Sequence, residues 1–339
     1  MASRIVCFGE VLLRLGAPGH QLMLQTPCLE VFVGGAEANV AVSLARFGHA
    51  SAQVGVLPDN ALGAAAAGEL RRHGVDTRGL ATGPGRMGLY FLTTGAMHRP
   101  SEVLYDRAGS AFALADPAGY DWPALLEGAD WLHLSGVSPA LGQRAADATL
   151  AAARAARRAG VRVSFDGNFR PKLWEAWNGD AAGILRALMS EADLLFADYR
   201  DMAVVLGLAF DQATPAARVD AAAQAAFAAF PHLQRLATTL RHQHSVDHHA
   251  LGARLVTREG QVHAAAEHPL TGIVDRIGGG DAFAAGVLHG LATGQADADA
   301  LAFGLAAACL KHSVPGDFNR VGADDVAAFL GQGRFDVRR

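Results

Sequence analysis

A run of three glycines ends on an acid in Asp275-Arg276-Ile277-Gly278-Gly279-Gly280-Asp281-Ala282-Phe283-Ala284-Ala285-Gly286, and Val287, Leu288 and Leu291 follow at helical spacing. Glycines just before a helix let several backbone N–H groups converge, and the helix dipole adds positive potential, so Gly278, Gly279 and Gly280 form a candidate anion hole. Asp281 is expected to stand at the cap with its carboxylate turned toward the same cavity, where it can take a proton from an attacking hydroxyl. A base beside an anion hole is the equipment of phosphoryl transfer. Taken alone, the same residues are equally well a helix cap after a glycine-rich turn.

Near the other end, Gly34-Gly35-Ala36-Glu37-Ala38-Asn39-Val40-Ala41 carries a glycine pair from a strand into a helix. Bare backbone there can approach a polyol closely, and Asn39 offers both a donor and an acceptor. An ordinary tight turn has the same pattern. Val103, Tyr105 and Arg107 share one face of a candidate strand by the period-two rule, so a phenol and a guanidinium point together. Arg170 follows the strand-like run Val161 to Phe165. Two arginines on a neutral sugar would carry desolvation cost without return, whereas a carboxylate substrate accounts for both.

The elements that must position these groups alternate. Short branched or aromatic runs (Ile5 to Phe8, Val54 to Leu57, Trp131 to Leu134, Val161 to Phe165, Leu194 to Phe196) are separated by Ala/Leu stretches at about 36–47, 61–73, 141–158, 181–190, 216–229, 281–292 and 298–311. This is the pattern of a parallel sheet covered on both faces. Segments of about 11–33 and 84–113 break it, with strand-like pieces at Leu89 to Thr94 and Val103 to Arg107, and are expected to form one small β lid beside the carboxyl ends of the main sheet. No linker divides the 339 residues, which are expected to form a single domain.

Composition narrows the partners. With 29 basic and 33 acidic side chains and a net charge of −4, the chain has no overall positive field for nucleic acid or an anionic membrane. No stretch approaches the ~18 apolar residues of a membrane span, and the charge at Glu10 interrupts any signal-peptide core. Cys7, Cys28 and Cys309 form no C-x-x-C pair, so a reducing cytoplasm is expected. Gly83-Pro84-Gly85-Arg86-Met87-Gly88 matches G-x-G-x-x-G but precedes a strand rather than the helix a dinucleotide site needs, and no Walker A loop is present. His242, His244, His248 and His249 crowd a stretch expected to be a polar loop rather than a metal tract.

In this order and at opposite ends of the chain, the Gly34-Gly35 and Gly278–Asp281 motifs resemble the paired signatures of the ribokinase-like (PfkB) carbohydrate kinase family. Tyr105-Asp106-Arg107, Asp166-Gly167-Asn168-Phe169-Arg170 with Leu173-Trp174, Thr238-Thr239-Leu240-Arg241 and Pro315-Gly316-Asp317-Phe318-Asn319 are similar to its 2-keto-3-deoxygluconate kinase branch. The resemblance implies a ribokinase-like three-layer α/β/α sandwich with a small β-sheet lid. It also implies a kinase using ATP and Mg2+ to phosphorylate 2-keto-3-deoxygluconate at its 6-hydroxyl, with Asp281 as base. Gly34, Gly35, Asn39, Tyr90, Tyr105, Arg107 and Arg170 would meet the acid sugar, and Asn168, Arg170, Thr239, Arg241, Gly278 and Gly280 the nucleotide. Where many members carry Asn-x-x-Glu, this chain has Asp198-Tyr199-Arg200-Asp201. Asp198 and Asp201 can still organise a hydrated magnesium ion, or serve only as a helix cap and first-turn charge. Exposed lid strands favour pairing with a second copy, so a dimer is expected. Two alternatives stand beside this reading: a kinase of fructose, tagatose or ribose, and a non-catalytic sugar- or nucleotide-binding regulator of the same fold.

Overall fold

A computed structural model describes residues 2–331. Among the described residues, thirteen strands are distributed over two sheets. They are β1 (Arg4–Phe8), β2 (Leu12–Gly16), β3 (Glu30–Gly34), β4 (Ala50–Pro58), β5 (Leu80–Gly83), β6 (Gly88–Thr93), β7 (Glu102–Asp106), β8 (Trp131–Ser135), β9 (Arg162–Asp166), β10 (Leu194–Phe196), β11 (Arg235–Gln243), β12 (His248–Thr257) and β13 (Val262–Thr271). The main sheet has nine strands in the order β13-β12-β11-β10-β9-β8-β1-β4-β5.

From β11 to β5 all neighbours run parallel, while β12 and β13 join as an antiparallel meander. Successive side chains of a strand buried on both sides enter opposite cores. Along β1, Val6 and Phe8 enter one core with the helices Gln143–Arg158, Ala181–Met189 and Pro215–Ala229. Ile5 and Cys7 enter the other, with the helices Ala36–Arg46, Gly279–Ala292 and Asp297–Lys311. The result is the three-layer α/β/α sandwich of the ribokinase-like fold.

The small sheet, in the order β3-β2-β6-β7, comes from the two segments that break the alternation. Its inner face buries Leu12, Tyr90 and Leu92, with Val103, Tyr105 and Ile277 packed against them. Two local expectations are corrected. The histidine tract is not a loop: it spans a hairpin between β11 and β12, in which the His242 and His244 rings stack at 4.5 Å, the His248 ring lies tilted 4.7 Å from that of His244, and His249 is buried. Asp281 is not a cap residue either, because Gly278 takes the N-cap position and the helix begins at Gly279. Among the described residues no helix is long and apolar enough to cross a membrane.

Candidate active site

At the carboxyl ends of β9, β10 and β11, between the main sheet and the inner face of the small sheet, lies a cavity of about 1080 Å³. Ligands of open α/β sheets collect at such an edge because strand ends leave loops and helix N-termini converging there. The cavity is lined by Gly35, Asn39, Tyr90, Tyr105, Arg107, Asn168, Arg170, Asp198, Asp201, Thr239, Arg241, Gly278, Gly280 and Asp281. Two of the expected residues do not line it. Gly34 stands behind the wall, where a methyl group in place of its hydrogen would lie 2.3 Å from a carboxylate oxygen of Asp317, and Gly279 packs against the His312 ring.

Asp281 is the third residue of its helix, and its Oδ2 accepts from Asn39 Nδ2 at 2.6 Å. The two motifs from opposite ends of the sequence thus meet in one hydrogen bond. Burial pushes the Asp281 carboxyl up to about 6; the Asn39 bond opposes this, Asp317 adds to it, and Arg170 and Lys311 oppose it. A carboxylate raised toward neutrality accepts a proton more readily than a free aspartate does. Gly278 makes the entry turn possible: its φ of 80° belongs to the left-handed region, and a side chain there would run into the Asp317 carbonyl.

On the small-sheet side, Tyr90 donates to Asp317 Oδ2 at 2.6 Å, and Asp317 is paired with Arg14 at 3.0 Å. Arg14 in turn donates to Asp275 at 2.6 Å, which ties β2 to the turn preceding Gly278. Arg107 is no solvated edge charge. It is buried, and its Nε holds Glu10 at 2.6 Å. Arg107 therefore does not meet a ligand as an unpartnered cation. Arg170 is exposed on the cavity wall, its guanidinium bonded to the Phe169 carbonyl at 3.1 Å.

Along β11, Thr239, Arg241 and Gln243 alternate onto the cavity face, with Arg276 nearby. Burial, with the neighbouring Arg276 charge adding, drags Arg241 down to about 10. Cations crowded this way call for an anion between them.

The acidic residues sort into two kinds. Asp198 caps the helix Tyr199–Leu206 and is held by Arg200 through Nε at 2.7 Å. Asp201 completes the capping box and also faces the cavity. Asp166, at the end of β9, joins it: burial first, then the charges of Asp281 and Asp201, hold its carboxyl well above the usual range, and burial with Asp198 raises Asp201 to about 6. Carboxylates that repel one another in one cavity suit a hydrated divalent cation. Among the described residues no three His, Cys, Asp or Glu side chains form a direct metal cage.

Asp166, Arg276 and Asp317 line the cavity, and Glu10 and Arg14 pair with Arg107 and Asp317 beside it; none of these five was an expected site residue. The one signal for Glu10 is a charge placed directly after an apolar strand at the sheet's carboxyl edge.

The pfkB family carbohydrate kinase model matches residues 2–320 of this sequence. The 2-dehydro-3-deoxygalactonokinase of Haloferax volcanii is 33% identical over 341 positions that cover 100% of both chains. The 2-dehydro-3-deoxygluconokinase of Bacillus subtilis is 28% identical, over 96% of this chain and 94% of its own. The crystal structure of 2-dehydro-3-deoxygluconokinase from Thermotoga maritima superposes with a TM-score of 0.91 at 36% identity, covering 97% of this chain and 99% of that one. With two motifs brought into contact at one cavity and a family match over nearly its whole length, the chain belongs to the pfkB family of carbohydrate kinases.

Proposed function

We propose that this carbohydrate kinase transfers the γ-phosphoryl group of ATP to the 6-hydroxyl of a 2-keto-3-deoxy sugar acid, in the gluconate or galactonate form. The observation that carries the reading is the Asp281 carboxylate, held at 2.6 Å by Asn39 in the cavity that Arg170, Tyr105 and the Gly278 turn also line. Three relatives named for these two acids support the choice of acceptor.

The sugar lies beneath the small sheet, against Tyr90, Tyr105 and Asn39, and its carboxylate meets the Arg170 guanidinium, with the Nη groups of Arg107 nearby. The nucleotide extends along Thr239 and Arg241, its phosphates between Arg170, Arg276 and the glycine turn. The hydroxyl oxygen attacks the γ-phosphorus and its proton passes to Asp281. The bond from that phosphorus to the β-γ bridging oxygen breaks, and ADP leaves. Backbone N–H groups of Ile277 to Gly280 stabilise the transferring group. Asp166 and Asp201 would hold magnesium, which when bound neutralises and orients the phosphates.

The chain works as a single kinase domain in the cytoplasm, where ATP is abundant and its three free cysteines stay reduced. A second copy pairs with it through the outer face of the small sheet.

A coupled ADP-release assay with a panel of acid sugars and their uncharged alcohol analogues tests the reaction. Turnover is expected with the keto acids and little with the alcohols, and Arg170→Ala is expected to erase that preference. Asp281→Asn should lower kcat by about 10²–10⁴-fold while ATP binding stays measurable. Equal turnover of acid and alcohol would overturn the acid substrate, and an active Asp281→Asn would remove the base.

A further inference from the structure

The helix Asp297–Lys311 ends on a lysine that the chemistry above leaves unused. A basic residue in a last turn is ordinarily a solvated partner of the helix dipole. Lys311, however, is fully buried, at 0% exposure. An ammonium taken out of water persists only where fixed acceptors and opposite charges replace its hydration.

Both are present. Lys311 Nζ donates to Val314 O at 2.9 Å, in the loop that leads to Asp317. Asp275 from the turn before the anion hole, Asp317 from the C-terminal loop and Asp281 from the helix behind that turn all attract it, while Arg14 of β2 and the adjoining His312 carry or acquire like charge. A methyl group built on Gly278 would stand 3.2 Å from Lys311 Cε and 2.0 Å from Asp317 O. The lysine stem therefore lies against the turn, and the turn lies against the loop that accepts the ammonium's hydrogen bond. Arg14 binds Asp275 and Asp317 by contact.

We propose that Lys311 is a positioning residue of the phosphoryl-transfer site, its buried ammonium tying the loop Val314–Asp317 to the turn Asp275–Gly278 and so setting the backbone donors of the anion hole and the Asp281 carboxylate. The inference rests on the reading of the cavity as a phosphoryl-transfer site. Burial lowers the ammonium to about 8 against the pull of Asp275 and Asp317, so the charge is present at neutral pH and is lost in mild alkali.

Lys311→Met and Lys311→Ala, beside Asp281→Asn, test it in the full chain with ATP, magnesium and the best acid sugar of the panel. Both lysine variants are expected to unfold cooperatively and to lose kcat by about 100-fold, with KM for the sugar nearly unchanged. Ammonium or methylammonium chloride, set against sodium chloride at equal ionic strength, should restore part of the Lys311→Ala turnover. Unchanged kcat in folded Lys311→Met, or a loss in Lys311→Ala that ammonium does not repair, overturns the proposal. Should both fail to fold, the pH profile decides: kcat of the parent is expected to fall above about pH 8, and in Lys311→Arg that limb is expected at higher pH because a guanidinium keeps its charge. A limb at the same pH in both proteins also sinks it. An active Asp281→Asn would instead bring down the reading of the cavity and leave the lysine result distinguishable from it.

Discussion

At the scale of single residues, proton affinity is what the site controls. Asp281, raised to about 6 by burial, sits in a field shared with Asp317, itself raised to about 6. The acid limb of kcat/KM for the sugar therefore belongs to the coupled set and is expected near pH 6. Asn39 favours the charged carboxylate, so Asn39→Ala should move that limb to higher pH, and an unmoved limb would deny the hydrogen bond its tuning role. The same shift has a stability consequence of opposite sign from the usual carboxylate. A group whose folded value lies above its unfolded one contributes stability fully below the unfolded value of 3.8 and loses it as pH rises through about 6. Thermal scans of Asp281→Asn should accordingly give a higher midpoint than the parent at pH 7, with the gap closing toward pH 4. Asp281 and the glycine turn before it were legible in the sequence because a glycine run opening a helix is a local pattern. Glu10, Arg14 and Lys311 were not, since a lone charge beside apolar residues looks the same whether it meets water or a buried partner.

At the scale of elements, the turns between strand and helix carry the most constraint. Gly35 is the N-cap of the helix Ala36–Arg46 at φ 137°, and a methyl group there would lie 2.2 Å from the Glu10 carbonyl. Gly35→Ala should cost on the order of 1–3 kcal/mol of stability and most of the turnover, because Asn39 rides on that helix. Gly19→Ala serves as the comparison: its φ is 54°, yet nothing lies within 4 Å of an added methyl. If chemical denaturation finds the two substitutions equal, close approach at Gly35 is not what requires glycine. The long helices were legible almost to their ends because Ala and Leu dominate them and each must cover the sheet, whereas the two-turn helices Tyr199–Leu206 and Ala323–Leu330 are too short to show a clear period and were not marked. The antiparallel β12 and β13 were not. The segment Val262–Thr271 is an edge strand with exposed and half-buried residues alternating, three alanines in a row and a proline, so neither propensity nor hydrophobicity marks it.

For the whole molecule, the small sheet has two faces with different work. Its inner face supplies Arg14, Tyr90 and Tyr105 to the cavity side, while on the outer face the register sets Val31, Leu15, Phe91 and Leu104 in one row. Val31 is 57% and Leu104 66% exposed, an apolar stripe running from one open edge strand to the other. Scattered apolar residues on a surface need no partner, but a continuous row across four strands is costly to leave in water. A second copy of the same face would bury both stripes at once and satisfy closed twofold symmetry. The parent is therefore expected to sediment at twice the chain mass at micromolar concentration, and a Val31→Glu/Leu104→Glu double variant at the mass of one chain. If the sugar binds against the inner face of the same strands as proposed, the separated variant should show a raised KM for the acid sugar and a smaller change in KM for ATP. A parent that sediments as a single chain, or a double variant that stays paired, would place any association elsewhere and leave the outer stripe unexplained.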